Sequence, residues 1–183
     1  MKSSSARVSY VLFSLLLVLL LSAPSSSADL IEKACRLALD SDACVETIKS
    51  FPESASATVP ELAIIVLQLA SQKAVNVTTH INTLLRNASS LDPIVYQRID
   101  ECSVHFQDAV DMVDNSKAAL SVQAYDDVTR FLTIAEGDAA ACQDGIRSVG
   151  SQDLVSELAT FNQSFKRLCN IAIVITKAAK LVN

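Results

Sequence analysis

Apolar residues recur at every third or fourth position through most of the chain, the spacing that places them on one face of an α-helix. From residue 58 onward, four long stretches keep this spacing. They predict helices at about 60–91, 92–120, 126–149 and 152–182. Apolar and polar residues do not alternate over strand-length runs, so the sequence predicts an all-α fold.

Two of the predicted helices begin with recognisable capping residues. Thr58 precedes the first one and Glu61 follows three residues later, the spacing of a capping box. Asp92 stands directly before Pro93, a cap followed by a proline in the first helical position. Because short links make sequential helices antiparallel neighbours, we expect an up-down-up-down four-helix bundle over residues 58–183.

Two shorter apolar stretches, 30–39 and 44–48, precede the predicted bundle and are separated by an Asp-Ser-Asp turn at 40–42. They predict a small helical hairpin within residues 29–57. We expect the hairpin to be an appendage outside the bundle.

The N-terminus has the three parts of a secretory signal peptide. Arg7 precedes an apolar run from Tyr10 to Leu21, and small residues follow up to Ala28. A run of about 12 apolar residues is shorter than the roughly 20 that span a bilayer. We therefore predict a cleaved leader at 1–28 and a secreted domain at 29–183. We expect no later stretch to be long and apolar enough to cross a membrane, and therefore expect the mature chain to be soluble.

The charge balance of the predicted mature chain is acidic. The full sequence has 15 lysines and arginines and 20 acidic residues, and Lys2 and Arg7 lie in the leader. The mature part therefore has 13 basic residues, and its net charge is −7. Nucleic-acid binding depends largely on Lys and Arg contacts to phosphates, so this balance argues against a nucleic-acid partner.

All five cysteines lie after the leader, in a chain that we expect to enter an oxidising compartment. Cys35 and Cys44 flank the hairpin turn, and Cys102 and Cys142 lie on the stripes of neighbouring helices. Spacing favours these two pairs and leaves Cys169 as a free thiol in an apolar stretch. Five cysteines permit other pairings, so the sequence alone leaves the pattern open.

Three Asn-x-Ser/Thr sequons make glycosylation possible in a secreted chain. Their asparagines are Asn76, Asn87 and Asn162.

Neutral polar residues occupy the face of the first long helix opposite its apolar stripe. Such groups suit a polar, hydrated protein interface, although an ordinary solvated face has the same composition. The candidate interface residues are Gln68, Gln72, Asn76, Thr79 and Asn82.

Residues with catalytic or metal-binding spacing are scarce. The chain has no Gly-x-Ser-x-Gly elbow and no glycine-rich phosphate loop. Its two histidines are His80, placed near the polar side of its helix, and His105, read as exposed beside a disulfide. Cys102 and His105 could share a helix face, but a metal site needs three or four ligands. We expect no metal, no cofactor and no enzymatic activity.

Three segments resemble a known family. Residues 102–111 resemble its Cys-x-x-x-Tyr-x-x-Ala-Val-Asp pattern, with Phe106 where tyrosine is usual. Residues 133–146 loosely resemble its Ser-Ala-Ala segment that closes in Thr-Cys-x-Asp-Gly-Phe, and residues 168–172 its Leu-x-Asn-x-Leu-Ala. Together with the leader and the cysteine order, they make residues 30–183 similar to the plant invertase and pectin methylesterase inhibitors.

The resemblance implies a cell-wall protein that binds an enzyme and occludes its active-site cleft. In the pectin methylesterase branch, the bundle lies across the groove of the enzyme. The invertase branch uses a Pro-Lys-Phe loop, whereas residues 122–126 here read Val-Gln-Ala-Tyr-Asp. The favoured function is therefore inhibition of pectin methylesterase in the apoplast.

Two other functions remain open. One is inhibition of cell-wall or vacuolar invertase. The other is carriage of a small apolar ligand between the helices, which would need a cavity that alanine-rich stripes disfavour. The protein is expected to be a monomer or a weak dimer.

Overall fold

The computed structural model describes residues 27–87, 91–149 and 151–182, and these ranges hold six α-helices and no β-strand. A four-residue 3₁₀ helix, Pro52–Ala55, lies between the second and third α-helices. The α-helices are α1 (Ser27–Cys35), α2 (Ser41–Lys49), α3 (Val59–Arg86), α4 (Pro93–Ser121), α5 (Tyr125–Arg147) and α6 (Gln152–Val182).

Helices α3 to α6 form the predicted four-helix bundle. Each packs against its neighbour in sequence, and α6 closes the bundle against α3. The all-α fold class with its disulfide bonds is confirmed. Of the predicted signal peptide at 1–28, only Ser27 and Ala28 belong to the described residues, and they begin α1.

The two capped helix starts are found where the sequence places them. The Thr58 N–H and hydroxyl both donate to the Glu61 carboxylate, at 2.7 and 2.8 Å. These hydrogen bonds, chiefly the one from the backbone, lower the pKa of Glu61. Asp92 accepts a hydrogen bond from the Ile94 N–H at 2.8 Å, and Pro93 is the first helical residue.

The core is filled by large side chains set among many alanines. Phe106 of α4 and Phe165 of α6 are fully buried and meet edge to face, with ring centroids 5.8 Å apart. Small residues among the large side chains let the helices approach closely. The fully buried alanines are Ala63, Ala70, Ala74, Ala109, Ala135, Ala139, Ala172 and Ala179.

The expectation that the hairpin is an appendage is wrong. Ile31 and Ala34 of α1 and Ile48 of α2 are buried and belong to the same core as the bundle. Helix α1 packs against α6 and the start of α3. The hairpin must pack because its own apolar face is too small to form a core alone.

Helix α3 corrects one more expectation, that no segment after the leader could cross a membrane. By length and composition alone, Val59–Arg86 is long and apolar enough to do so. Here, however, most of its apolar residues face the bundle, and Leu62, Val66 and Leu67 are fully buried.

Candidate functional site

Four of the five candidate interface residues point outward from α3. Gln68, Gln72, Asn76 and Thr79 are exposed. Asn82 is placed differently: it is half-buried, and its side-chain oxygen accepts a hydrogen bond from the Ser103 hydroxyl of α4 at 3.0 Å. Asn82 therefore joins two bundle helices.

Two exposed apolar residues extend this surface. Ile64 is 46% and Val75 47% exposed, and both lie at helical spacing with the exposed polar residues. We name this surface the α3 outer face; it consists of Ile64, Gln68, Gln72, Val75, Asn76 and Thr79.

The α3 outer face is free of charge. Every exposed residue of α3 between Glu61 and Arg86 is uncharged. Lys73 is half-buried, and its Nζ lies 5.9 Å from the centre of the Phe161 ring on α6. Depletion of charge at the centre of a surface patch is typical of protein–protein interfaces.

The acidic residues of α4 and α5 form a different kind of surface. Several of them pair with basic residues one turn away on the same helix, as in Asp114–Lys117 at 2.6 Å and Asp127–Arg130 at 2.9 Å. Asp126 pairs with Lys180 of α6 at 2.7 Å. Such exposed pairs contribute little to stability and are typical of solvated helix faces.

Both histidines are half-buried, and each lies beside a carboxylate of a neighbouring helix. The ring of His80 packs 4.9 Å from the ring of Phe161 in the seam between α3 and α6, with Nε2 3.0 Å from the Glu157 carboxylate. His105 is half-buried, and its Nδ1 lies 3.5 Å from Asp138 of α5. Burial raises the pKa of Asp138, and His105 partly opposes that shift.

The cysteines form two disulfides and leave one thiol. Cys35 is bonded to Cys44 and Cys102 to Cys142, while Cys169 is free and buried. Burial, with a smaller contribution from the nearby Glu136 charge, raises the pKa of the Cys169 thiol well above its usual range. A protonated, enclosed thiol is a poor nucleophile.

The disulfide also removes Cys102 as a thiolate ligand for the pair with His105. Within the described ranges, no three His, Cys, Asp or Glu side chains are grouped to hold a metal ion.

The three sequons differ in accessibility. Asn76 is exposed at the centre of the α3 outer face, and Asn87 is exposed at the end of α3. Asn162 is only 1% exposed, and this burial disfavours a glycan on the folded domain. A glycan at Asn162 would have to displace core side chains.

A second surface feature is a groove of about 660 Å³ between the α1–α2 turn and helices α5 and α6. One wall is formed by Leu39 of the turn, and the opposite side by Glu136 and Gln143 of α5. Lys166 and Asn170 of α6 line the groove between these two sides. Sequence analysis did not find this groove, because its lining comes from three separate segments.

Comparison with known proteins matches most of the described chain to one family. The family model described as plant invertase/pectin methylesterase inhibitor matches residues 29–175. A pectinesterase inhibitor of Actinidia deliciosa is 27% identical over 176 residues, which are 95% of this chain and 93% of the relative. A cell wall/vacuolar inhibitor of fructosidase from Arabidopsis thaliana is 25% identical over 83% of this chain and 84% of its own.

A solved structure supports the fold. The crystal structure of a mutant form of a pectin methylesterase inhibitor from Arabidopsis superimposes with a TM-score of 0.70. It covers 84% of this chain and 97% of its own, at 21% identity. At that identity, the match supports the fold alone, the bundle with its hairpin.

Proposed function

This chain belongs to the plant invertase/pectin methylesterase inhibitor family, and we propose that it is a secreted inhibitor of pectin methylesterase. In this role it would bind the enzyme in the cell wall, cover the active-site cleft and limit pectin de-esterification. The observation that carries the proposal is the α3 outer face, an uncharged, exposed stripe on a domain whose other surfaces are rich in charge.

The bundle suits inhibition by occlusion. Helix α3 has 28 residues and is therefore about 42 Å long, enough to cross a substrate groove. Its outward side chains stand on a regular helix held by the core, so binding orders little backbone. The acidic balance of the mature chain favours encounter with a basic enzyme at low salt.

Inhibition of invertase is the second candidate function. It is supported by the relative named as an inhibitor of fructosidase. Against it stands the α4–α5 link at 122–124, which lacks the Pro-Lys-Phe sequence associated with that branch. Carriage of an apolar ligand is less well supported, because alanines fill the space between the helices.

Residual enzyme activity tests the proposal. The oxidised mature chain, residues 29–183, is titrated against plant pectin methylesterase and against cell-wall and vacuolar invertases at mildly acidic pH. We expect dose-dependent loss of methyl-ester hydrolysis with sucrose cleavage unchanged. Loss of sucrose cleavage alone would favour the second candidate, and no effect on either activity by a folded protein would contradict inhibition.

A charge placed on the α3 outer face tests its role. We expect Gln72→Arg to weaken inhibition by about tenfold or more, because a charge desolvated without a partner is costly in an interface. Gln107→Arg, an exposed glutamine of α4, is the matched control. If the control weakens inhibition and Gln72→Arg does not, the contact lies on α4.

The sequon on this face gives a second check. A glycan at Asn76 would cover the surface, so Asn76→Gln produced in a glycosylating host should inhibit at least as well as the wild type. If a fully glycosylated wild type inhibits as strongly as Asn76→Gln, the α3 outer face is not the contact.

A further inference from the structure

The groove between the α1–α2 turn and α5/α6 contains two basic residues without ion-pair partners. Seven of the thirteen lysines and arginines of the described chain lie within 4.0 Å of a carboxylate, for example Lys117 beside Asp114. Lys166 and Arg167 have no such partner among the described residues, and both line the groove. In an acidic domain, unpaired cations side by side in a groove favour an anionic ligand.

Two carboxylates, Asp40 and Glu136, line the same groove, and neither lies within 4.0 Å of the charged nitrogens of Lys166 or Arg167. Asp40 accepts a hydrogen bond from the Ala43 N–H at 2.9 Å and so caps α2. Glu136 is half-buried, and burial raises its pKa against the opposing charge of Lys166. Glu136 is therefore more easily neutralised than an exposed glutamate as the pH falls.

The rest of the lining combines amides and aliphatic groups. Gln143, Gln163 and Asn170 present side chains that both donate and accept hydrogen bonds. Leu39 lines the groove and is 93% exposed, so its side chain is open to contact with a ligand. The volume of about 660 Å³ lies within the range of small-ligand sites.

We propose that this groove binds a short oligosaccharide of uronic acids. Lys166 and Arg167 would hold its carboxylates, the amides would bond its hydroxyls, and Leu39 would pack on the apolar face of a sugar ring. Only the cell-wall location is taken from the proposed function; inhibition of an enzyme is not required.

The Cys35–Cys44 disulfide holds the wall that carries Leu39. The two cysteines flank residues 36–43, and their Cα atoms are 5.8 Å apart. Both are fully buried, so the turn is fastened to the core directly beside the groove. The site is therefore largely formed before a ligand arrives.

Calorimetric titration of the full mature chain tests the proposal. The probes are trigalacturonate, its methyl ester, maltotriose and citrate. We expect trigalacturonate to bind, and the methyl ester and maltotriose to bind about tenfold or more weakly, because hydrogen bonds to charged groups are the stronger ones. Absence of trigalacturonate binding, or equal affinity for the neutral sugars, would overturn the proposal. Tighter binding of citrate would overturn the oligosaccharide assignment.

Variants separate the groove from general charge attraction. Lys166→Gln/Arg167→Gln should lose about tenfold or more in affinity for trigalacturonate. The control Arg36→Gln/Lys177→Gln removes the same charge from residues that do not line the groove, and should stay within about twofold. An equal loss in the control would show non-specific attraction and refute the site.

The same variants are assayed for enzyme inhibition, and their folding is checked by circular dichroism. A wild type that inhibits but does not bind trigalacturonate refutes this inference alone. A wild type that binds trigalacturonate but inhibits neither enzyme refutes the proposed function alone.

Discussion

At the residue scale, Asn162 is a polar side chain inside the core. It is 1% exposed, and neither atom of its amide has a hydrogen-bond partner among the described residues. An unpaired buried polar group costs about 1–3 kcal/mol. We expect Asn162→Leu to raise the midpoint of thermal unfolding by about 2–4 °C, the shift that 1 kcal/mol produces in a domain of this size.

Circular dichroism melts measure the effect of Asn162→Leu, with the exposed Asn76→Leu as a control that should gain nothing. A lower midpoint for Asn162→Leu would mean that the Asn162 amide makes hydrogen bonds in the folded protein, for example to a buried water.

Glu136 links one residue to the pH dependence of stability. Burial raises its pKa in the folded domain, so protonation stabilises the fold. This contribution is present below the unfolded pKa of about 4.3 and is lost as the pH rises through the raised folded pKa. We therefore expect Glu136→Gln to melt above the wild type at neutral pH, with the difference vanishing in acid.

Glu101→Gln is a control of opposite sign for the Glu136 experiment. The pKa of Glu101 is lowered, mainly by its hydrogen bond from Arg98, so its charge stabilises the fold above the unfolded pKa. Glu101→Gln should melt below the wild type at neutral pH. Equal melting of Glu136→Gln and wild type at all pH values would contradict the burial argument.

At the element scale, the link between α4 and α5 is a Schellman cap without glycine. Gln123 has φ of 59°, and the Gln123 and Ala124 N–H groups donate to the Leu120 and Ala119 carbonyls. The left-handed conformation costs a residue with a side chain about 1–2 kcal/mol. Glycine avoids this cost, but its greater freedom in the unfolded chain offsets part of the gain. We therefore expect Gln123→Gly to stabilise the domain by about 0.5–1 kcal/mol.

Urea unfolding measures the change caused by Gln123→Gly. Val122→Gly is the matched control; Val122 has φ of −107°, so glycine there should only destabilise. A loss of stability in Gln123→Gly would show that the glutamine side chain contributes more than its conformation costs.

The ends of helices are harder to predict than their starts. Capping residues at Thr58 and Asp92 marked two starts in the sequence, because a cap is a local chemical signal. The apolar spacing continues through Leu84 and Ala88, and therefore predicts that α3 extends to about residue 91. In the structure α3 ends at Arg86, and no proline or glycine follows directly to mark the end of the helix in the sequence.

At the scale of the whole molecule, hairpin and bundle share one core. Ile48 of α2 is fully buried in it. We expect Ile48→Ala to destabilise the domain by about 2–5 kcal/mol. Because the core is shared, the substitution should lower the temperature of a single unfolding transition in which all helices take part. It should not produce a separate, earlier transition of the hairpin.

Calorimetry compared with the helical melt tests the shared core. The exposed Leu37→Ala in the adjacent turn is the control and should leave the transition unchanged. A separate early transition in Ile48→Ala, with the bundle melting as in the wild type, would show that the hairpin folds independently.

The sequence by itself determined the helical class, the order of the helices and the family resemblance, because helical spacing, caps and motifs are local along the chain. Tertiary structure decided which side chains meet. It turned Asn82 toward Ser103, buried Asn162, placed His80 against Phe161 and left Lys166 unpaired beside the hairpin turn. A bundle helix is covered by two neighbours, so the buried arc depends on helix packing, which periodicity along one helix does not specify.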